Sequence, residues 1–206
     1  ILDKALELFA AQGYDSVSVG EIARAVGIKA PSLYNHYPSK QAIFDAIVDA
    51  TAKQYEADTD KVDIHVQNSV QDIPIFSEIT EEALFEKVRK IFEYSLHNET
   101  ISRFRKMMTI EQFRSPELAA LCSRRYVERL LEYHAGIFSA LISAGEIMAA
   151  DPETLSMMYI APVLTLIGVC DRQPERESEC LDKLKRHVYL FYTMVHGGNL
   201  NGGENK

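Results

Sequence analysis

A short stretch near the N-terminus carries the start and stop signals of two brief helices, which constrains this part of the chain to a tight helical turn. Ser18 and Glu21 have the spacing of a capping box, in which each side chain satisfies the other residue's backbone N–H group. Gly27 favours the left-handed conformation that ends a helix, and Pro31 is tolerated in the first turn of the next helix. These signals predict two short helices, the second over about residues 30–36, in a helix-turn-helix arrangement.

Two further helices complete a predicted N-terminal domain of residues 1–50. The first covers about residues 1–11 and ends before Gly13, and its apolar residues recur at the period of an amphipathic helix. The other is capped by Ser39 and continues to about Ala57 as a connector. The apolar faces of these two helices consist of Leu2, Ala5, Leu6, Phe9, Ile43, Phe44, Ile47 and Val48.

The second half of the chain is also predicted to be helical. Thr80, Ser115 and Asp151 are each followed by proline or acidic residues, which is typical of helix starts. The predicted helices cover about residues 80–97, 100–113, 116–146, 152–171 and 177–196. The sequence therefore predicts an all-α protein in which a larger helical domain, residues 80–197, follows the N-terminal domain.

Two segments are not predicted to be helical. Residues 58–79 contain Pro74, scattered aspartates and an alternation of apolar residues at Val62, Ile64 and Val66, which favours a long linker with local strand character. The polar tail, residues 198–206, is predicted to be flexible.

The N-terminal pattern as a whole resembles the signature of the tetracycline-repressor (TetR) family of transcriptional regulators. The matching residues are Ala5, Leu8, Phe9, Gly13, Tyr14, Ile22, Ala23, Gly27, Ser32, Leu33, Tyr34, His36, Tyr37, Ser39 and Lys40. The resemblance covers about residues 1–50 and implies a DNA-binding domain followed by a ligand-binding and dimerisation domain. It further implies a repressor that binds a pseudo-palindromic operator as a homodimer and is released by an unknown small-molecule effector.

The resemblance also implies which residues contact double-stranded operator DNA. It places Lys29, Ala30, Pro31 and Ser32 against base edges, and Ser18, Tyr34, His36 and Lys40 against phosphates. The chemistry agrees, because Lys29 can donate to guanine while the Ala30 methyl and the Pro31 ring can pack on a thymine methyl. Lys40 and the N–H groups at the start of the fourth helix form an anion site of the kind that binds phosphate.

Each of these residues also has a purely structural interpretation. Ser18 alone is equally expected as a helix cap, Tyr34 and His36 alone as surface or core residues, and a single lysine as a solvated side chain. Only the joint spacing favours DNA binding. Gly20 stands where many members of the resembled family carry a long polar or basic side chain, so one DNA contact is absent.

The charge of the chain is unfavourable for a nucleic-acid binder. The formal net charge is −8, and residues 1–50 contain four basic and six acidic residues, a net charge of −2. Since phosphate contacts depend on positive charge, DNA binding must rest on helix-turn-helix geometry or on a basic arm that precedes Ile1. A second hypothesis therefore stays open, a small-molecule sensing or interaction protein with weak or vestigial DNA binding.

The implied ligand pocket lies among the helices of residues 80–171. Its candidate lining residues are Phe92, Tyr94, Met107, Met108, Phe113, Tyr133, His134, Phe138, Met158 and Tyr159. Aromatic and methionine stripes at helical spacing are also what protein cores are made of, so core packing is the alternative for each of them. Such a lining suits a mostly apolar ligand, and the acidic balance of the chain favours a neutral or cationic one.

The last two predicted helices are apolar over more than one narrow face, which indicates burial on several sides. We expect part of that surface to pack against a second copy in an intersubunit four-helix bundle. The predicted interface residues are Leu155, Tyr159, Val163, Leu166, Leu184, Val188, Phe191 and Val195. A two-fold dimer would present its two recognition helices about 34 Å apart, or a multiple of that distance.

Other classes of protein are disfavoured. The sequence lacks GxSxG, HExxH and glycine-rich phosphate loops, so no enzymatic activity, metal or cofactor is predicted. Glu93 and His97 lie one turn apart, but a surface pair is the simpler interpretation. The apolar run at residues 157–170 is too short to span a membrane. Three cysteines without metal-site spacing fit a reducing cytoplasm, and redox sensing by Cys122 or Cys170 is a minor alternative.

Overall fold

The computed structural model describes residues 1–65, 68–113 and 116–197. Within these ranges the regular structure is helical and contains no strand, which confirms the predicted all-α fold. The helices are α1 (Leu2–Gln12), α2 (Val19–Ala25), α3 (Ala30–Tyr34), α4 (Lys40–Asp60), α5 (Ser69–Ser77), α6 (Glu81–His97), α7 (Glu99–Glu111), α8 (Pro116–Ser123), α9 (Arg129–Ala144), α10 (Pro152–Arg172) and α11 (Glu177–Val195). The predictions for Val66, the Ser115 cap and the tail at 198–206 lie outside the described residues.

The chain divides into two compact units, and the division does not follow the predicted domain boundaries. The first unit contains Ile1–Asp58 and His97–Arg124, and the second contains Thr59–Leu96 and the described residues from Arg125 onward. Helices α7 and α8 were predicted in the larger domain, but they belong to the first unit, where α7 packs against α1. The reason is the buried face of α7, which includes Phe104, Met107 and Met108.

In the first unit, local signals in the sequence determine the helix ends as predicted. Helix α1 buries Ala5, Leu6 and Phe9 and ends at Gly13, which has a φ of 83°. After α2 the chain turns at Gly27, whose φ of 77° lies in the left-handed region that favours glycine. Both glycines therefore act where the sequence pattern placed them.

The segment 58–79 differs from its prediction, because among its described residues Ser69–Ser77 form helix α5. The side chain of Asn68 caps this helix by accepting a hydrogen bond from the backbone N–H of Val70 at 3.3 Å. Pro74 lies inside the helix, where it cannot donate a backbone hydrogen bond. The buried carboxylate of Asp72 accepts a hydrogen bond from the hydroxyl of Tyr133 on α9. Tertiary contacts thus stabilise a helix that local propensity disfavours.

The predicted helix over 116–146 is also not continuous. A π-helical turn, Arg124–Glu128, separates α8 from α9. The boundary between the two units lies within this turn, directly after Arg124.

The core of the second unit lies between α9, α10 and α11, with α5 packed on α9. Phe92, Ile137, Leu184 and Val188 are essentially inaccessible to solvent in this core. The side chains predicted to meet a second copy are part of the same core, so that prediction is wrong for most of them. Leu155, Tyr159, Val163, Leu184, Val188, Phe191 and Val195 are buried within the unit, and Leu166 alone of the eight is half-buried.

The outward side of α10 is apolar and uncovered. Met157 is 57% exposed, and Ala161 and Thr165 on later turns are also exposed. In the described residues, α10 is the helix that is long and apolar enough, by length and composition alone, to cross a membrane, although only 39% of its most apolar window is buried. A helix in a bundle of a non-membrane protein passes the same test. The expectation of a buried helix is therefore right only for its inner face.

Candidate nucleic-acid interface and interior cavity

The segment from Lys29 to His36 presents a row of exposed side chains on a rigid base. Leu33 of α3 is fully buried and anchors the helix on α2. Around it Lys29, Pro31, Ser32, Tyr34 and His36 are exposed, while Ala30 is half-buried. The structure thus brings six of the eight predicted DNA-contact residues together on and beside one short helix.

Ser18 is a helix cap, as its structural interpretation predicted. Its Oγ accepts a hydrogen bond from the Glu21 backbone N–H at 3.2 Å and donates one to the Glu21 carboxylate at 2.7 Å. The Glu21 carboxylate also accepts from the Ser18 N–H at 2.8 Å, which completes the capping box. These hydrogen bonds lower the pKa of Glu21. Ser18 remains exposed, and its predicted phosphate contact stays a prediction.

Lys40 has a different role from the predicted one. Its Nζ donates to the backbone carbonyls of Tyr14 at 2.9 Å, Val17 at 3.0 Å and Asp15 at 3.4 Å, and it lies 4.3 Å from the centre of the Tyr14 ring. An ammonium group has three hydrogens, so the protein itself occupies all of them. Lys40 therefore has a structural role, because it fixes the turn that precedes α2, and its predicted phosphate contact stays a prediction.

A second buried contact on the same turn was not predicted from the sequence. Glu111 of α7 is only 1% exposed, and its Oε1 accepts a hydrogen bond from the Tyr14 backbone N–H at 3.0 Å. The Tyr14 ring is packed between Phe9 and Phe44, and burial raises the pKa of its phenol. Since 97 residues separate Glu111 from Tyr14, no local pattern could indicate the pair.

A small cavity lies in the second unit, among the described residues. Its closed space is about 30 Å³, enough for about one or two water molecules. The lining residues are Phe76, Ile79, Leu84, His134, Ile137, Phe138, Leu141, Ile147, Tyr159, Phe191, Tyr192, Val195 and His196. Most of them come from α9, α11 and the segment around α5.

Only part of the predicted pocket is found at this cavity. His134, Phe138 and Tyr159 line it, and Phe92 and Tyr133 are buried in the surrounding core. The other candidates are elsewhere: Met107 and Met108 are buried in the first unit, Phe113 and Met158 are exposed, and Tyr94 is half-buried. The lining residues Phe76 and Ile79 were missed because residues 58–79 were predicted to form a linker.

A buried polar network lies next to the cavity. Asp72 is inaccessible to solvent, and its carboxylate accepts hydrogen bonds from the backbone N–H of His65 at 2.7 Å and from the hydroxyl of Tyr133. Its second oxygen bonds Nδ1 of His65. This hydrogen bond is the main cause of the raised pKa of His65.

No metal site is found in the parts of the chain that the structure describes. No group of three or more His, Cys, Asp or Glu side chains is close enough together to hold a metal ion. Glu93 is engaged in an ion pair with Arg89 at 2.8 Å. The three cysteines are free and buried, and burial raises the pKa of Cys122 and, together with the neighbouring Cys180, raises that of Cys170 to about 12. Thiols of this kind are unreactive.

Comparison with known sequences gives matches to the N-terminal part. Residues 1–47 match the model of the family described as bacterial regulatory proteins, tetR family. The HTH-type transcriptional repressor ComR of Escherichia coli K12 is 38% identical over 56 residues, 27% of this chain and 27% of ComR. The negative regulator of the biofilm operon icaADBC, IcaR of Staphylococcus aureus, is 44% identical over 48 residues, 23% of this chain and 26% of IcaR. The matches thus span about a quarter of the length of each relative, and both relatives are named as transcriptional regulators.

Comparison with solved structures extends over nearly the whole fold. A TetR-family transcriptional regulator of Mesorhizobium loti superposes with a TM-score of 0.70 at 21% identity, covering 95% of this chain and 94% of that one. The SmeT–triclosan complex superposes with a TM-score of 0.63 at 19% identity, covering 89% of this chain and 87% of that one. At these identities the likeness concerns the fold.

Proposed function

Because the N-terminal domain of this chain belongs to the tetR family of bacterial regulatory proteins, we propose that the protein is a DNA-binding transcriptional regulator. It acts as a repressor that binds a pseudo-palindromic operator as a dimer in the bacterial cytoplasm. A small molecule that binds the second unit releases it from DNA. The observation that carries the proposal is the row of exposed residues from Lys29 to His36. It lies on and beside the short helix α3, which the buried side chain of Leu33 anchors.

The shape and chemistry of this row fit the major groove. A helix of five residues can enter the groove with its N-terminal end, where Lys29, Pro31 and Ser32 reach base edges. Tyr34 and His36 then lie one turn away, within reach of the flanking phosphates. Lys29 and Arg24 supply exposed positive charge, which partly offsets the acidic residues of the domain.

Dimerisation would use the uncovered face of α10. Met157, Ala161 and Thr165 follow one another at four-residue spacing and are exposed, and Leu190 of α11 is 60% exposed. A second copy would remove this apolar surface from water, which favours association. Two copies would also present the two recognition helices that a pseudo-palindromic operator requires.

A response to a small molecule is supported by the cavity of the second unit. SmeT, a relative in fold, is known in complex with triclosan. In this chain the closed space of about 30 Å³ is far below the roughly 300 Å³ of a typical ligand pocket. Binding therefore requires the helices around the cavity to move, and such a movement is what a release mechanism needs.

The proposal is tested by fluorescence anisotropy of the protein on DNA from the region upstream of its own gene and on scrambled DNA, at two salt concentrations. We expect sequence-selective binding of two protomers, or a small multiple, with affinity that falls as salt rises. Lys29→Gln should weaken binding to the specific DNA by about 1–3 kcal/mol per contact, whereas the same change at the exposed Lys53 of α4 should not. Equal, weak binding of the native protein to both DNAs would contradict the proposal.

The sensing protein with weak DNA binding remains a second candidate, and two observations favour it. Residues 1–50 have a net charge of −2, and the ammonium of Lys40 is directed at the protein's own backbone. In that case the affinity for any DNA should be low and depend only weakly on salt. A steep salt dependence on the native DNA would exclude it.

A further inference from the structure

The cavity of the second unit is lined without a permanent charge. Of its 13 lining residues, all within the described part of the chain, none is Asp, Glu, Lys or Arg. The polar members are His134, Tyr159, Tyr192 and His196. The Tyr192 hydroxyl already donates to the backbone carbonyl of Ile79 at 3.2 Å. A charged ligand would thus lose its hydration and gain no counter-ion, which makes its burial costly.

His134, which is one of the lining residues, carries a hydrogen-bond acceptor. Its Nδ1 lies 2.8 Å from the carbonyl oxygen of Leu130, and because a carbonyl only accepts, the proton must be on Nδ1. Burial lowers the pKa of His134 to about 4, so the ring is neutral near pH 7. Nε2 is then an unprotonated nitrogen, and it has no hydrogen-bond partner in the described residues.

The walls around His134 are aromatic. Its ring centre lies 5.2 Å from that of Tyr159 and 6.4 Å from that of Phe138. Phe191 packs on both of these residues, at 5.0 Å from Tyr159 and 5.5 Å from Phe138. Rings at these distances and tilts favour a flat apolar ligand that stacks beside them.

The nearest buried carboxylate does not alter this picture. Asp72 would be a natural partner for a cationic ligand, but its oxygens already accept from the His65 N–H, the His65 ring and the Tyr133 hydroxyl. Tyr133 stands between Asp72 and His134, with its ring edge-on to the His134 ring at 4.9 Å. The Asp72 carboxylate therefore holds α5 on α9 and is not available to a ligand.

We propose that this cavity, when the surrounding helices move apart to enlarge it, selects an uncharged, largely apolar aromatic ligand that donates one hydrogen bond, and that Nε2 of His134 accepts that hydrogen bond. The proposal rests on the effector-binding role proposed for the second unit and names the class of effector. An anionic ligand is rejected because no cation lines the cavity, and a cationic one because no carboxylate is available. A ligand without a donor leaves Nε2 unpaired and binds less tightly.

Four matched probes test the proposal on the full chain: 1-naphthol, its methyl ether, 1-naphthoate and 1-naphthylmethylammonium. They share one ring system and differ in charge and in the presence of a neutral donor. Binding is followed by probe fluorescence, which the chain does not obscure because it contains no tryptophan. We expect 1-naphthol to bind about 2- to 10-fold more tightly than the ether, the range of one hydrogen bond. The two ions should bind at least about 100-fold more weakly than 1-naphthol.

The role of His134 is tested by His134→Phe, which keeps an aromatic ring and removes the acceptor. The variant should bind the ether as well as before and lose its preference for 1-naphthol. His97→Phe makes the same change at an exposed site outside the cavity and should keep that preference. Equal binding of 1-naphthol and the ether by the native protein, tighter binding of either ion, or no binding of any probe at millimolar concentration would each overturn the proposal.

The result is separate from that of the operator experiment. If 1-naphthol binds selectively but does not release the protein from DNA, the ligand class stands and the release mechanism fails. If the protein releases DNA in response only to a charged molecule, the regulator stands and the ligand class fails.

Discussion

Lys40 contributes to the candidate interface at the level of a single residue by fixing its shape. Its ammonium closes the turn between α1 and α2 through three backbone carbonyls, and this turn leads directly to the capping box at Ser18. A carbonyl that loses its donor in a half-buried position is costly. The position of α2, and with it that of α3, therefore depends on a residue that the sequence pattern assigned to DNA.

We predict that Lys40→Met destabilises the protein by about 1–3 kcal/mol, because the apolar stem is kept while the three hydrogen bonds are lost. The measurement is the free energy of unfolding in urea. Lys53→Met on the exposed side of the same helix is the control and should change it by less than about 0.5 kcal/mol. Equal losses of unfolding free energy in the two variants would show that the three hydrogen bonds of Lys40 do not contribute to stability.

The raised pKa of His65 implies that the stability of the protein falls as the pH rises. Its pKa is raised in the folded protein, first by the hydrogen bond to Asp72 and then by the charges of Asp72, Asp60 and Asp63, against an opposing effect of burial. A histidine with a raised pKa stabilises the folded state. This contribution is complete at pH values below the pKa of the unfolded state, about 6.5, and it is lost as the pH rises through the pKa of the folded state.

We therefore expect the free energy of unfolding to fall from about pH 6 to about pH 8, and to fall less in His65→Gln. Urea unfolding of both proteins at each pH measures the difference. His97→Gln changes an exposed histidine on α6 and should leave the slope as it is. A native slope that His65→Gln does not reduce would mean that the contact with Asp72 does not set the protonation of His65.

Among the elements, α5 is held unusually close to α9. A Cβ placed on Gly136 would lie 2.6 Å from Oγ and 3.3 Å from Cβ of Ser69, so only glycine allows this approach. An alanine at Gly136 would push α5 away from the Asp72–Tyr133 contact. Gly168 of α10 has no such neighbour, since the nearest atom to its Cβ is the end of the Arg172 side chain at 3.5 Å.

The prediction compares two glycine-to-alanine changes inside helices. Gly168→Ala should stabilise the protein by up to about 1 kcal/mol, the ordinary gain of alanine in a helix. Gly136→Ala should be destabilising in spite of the same gain, because of the steric clash. In a Ser69→Gly background the clash is absent, and Gly136→Ala should then behave like Gly168→Ala in thermal unfolding. If Gly136→Ala is as favourable as Gly168→Ala in the native background, α5 is not held by close packing.

The elements also show what the sequence could predict. Helix α2 follows from Ser18 and Glu21 because a capping box is complete within four residues. Helix α5 could not be predicted in this way, since its stability comes from Tyr133, which is 61 residues from Asp72. The cavity was only partly predicted for the same reason, because α5 and α11 contribute three of its five Phe and Tyr residues. The exposure of the row on α3 follows from Leu33, whose burial sets the orientation of the whole helix, while the DNA contacts of the row stay predictions.

At the scale of the whole molecule, the apolar residues of α10 and α11 have two different roles. Most of the residues predicted for the dimer interface are buried in the core of the second unit; Val188 and Leu184, for example, are 0% exposed. A dimer must therefore use the residues that remain outside, and Ala161 lies in the middle of that face. Small residues there allow two helices to approach closely, so a large charged side chain would be poorly tolerated.

We predict that Ala161→Glu converts the proposed dimer into a folded monomer. Ala161 is exposed in the protomer, so the carboxylate leaves the core intact, but in a dimer it would be buried without a partner. Sedimentation equilibrium gives the mass and circular dichroism the helix content. Ala120→Glu makes the same change at an exposed alanine of α8 and should leave the mass unchanged.

Operator binding should fall together with dimerisation. In the proposed dimer each half-site is bound by one protomer, so a monomer would lose the second recognition helix. We therefore expect at least about 100-fold weaker binding for Ala161→Glu, with Ala120→Glu unaffected. Anisotropy on the full operator and on a single half-site separates the two effects, since the monomer should bind both with the same low affinity. An Ala161→Glu protein that remains dimeric would place the interface elsewhere, and a monomer that keeps the native operator affinity would show that two-fold binding is not how this regulator recognises its site.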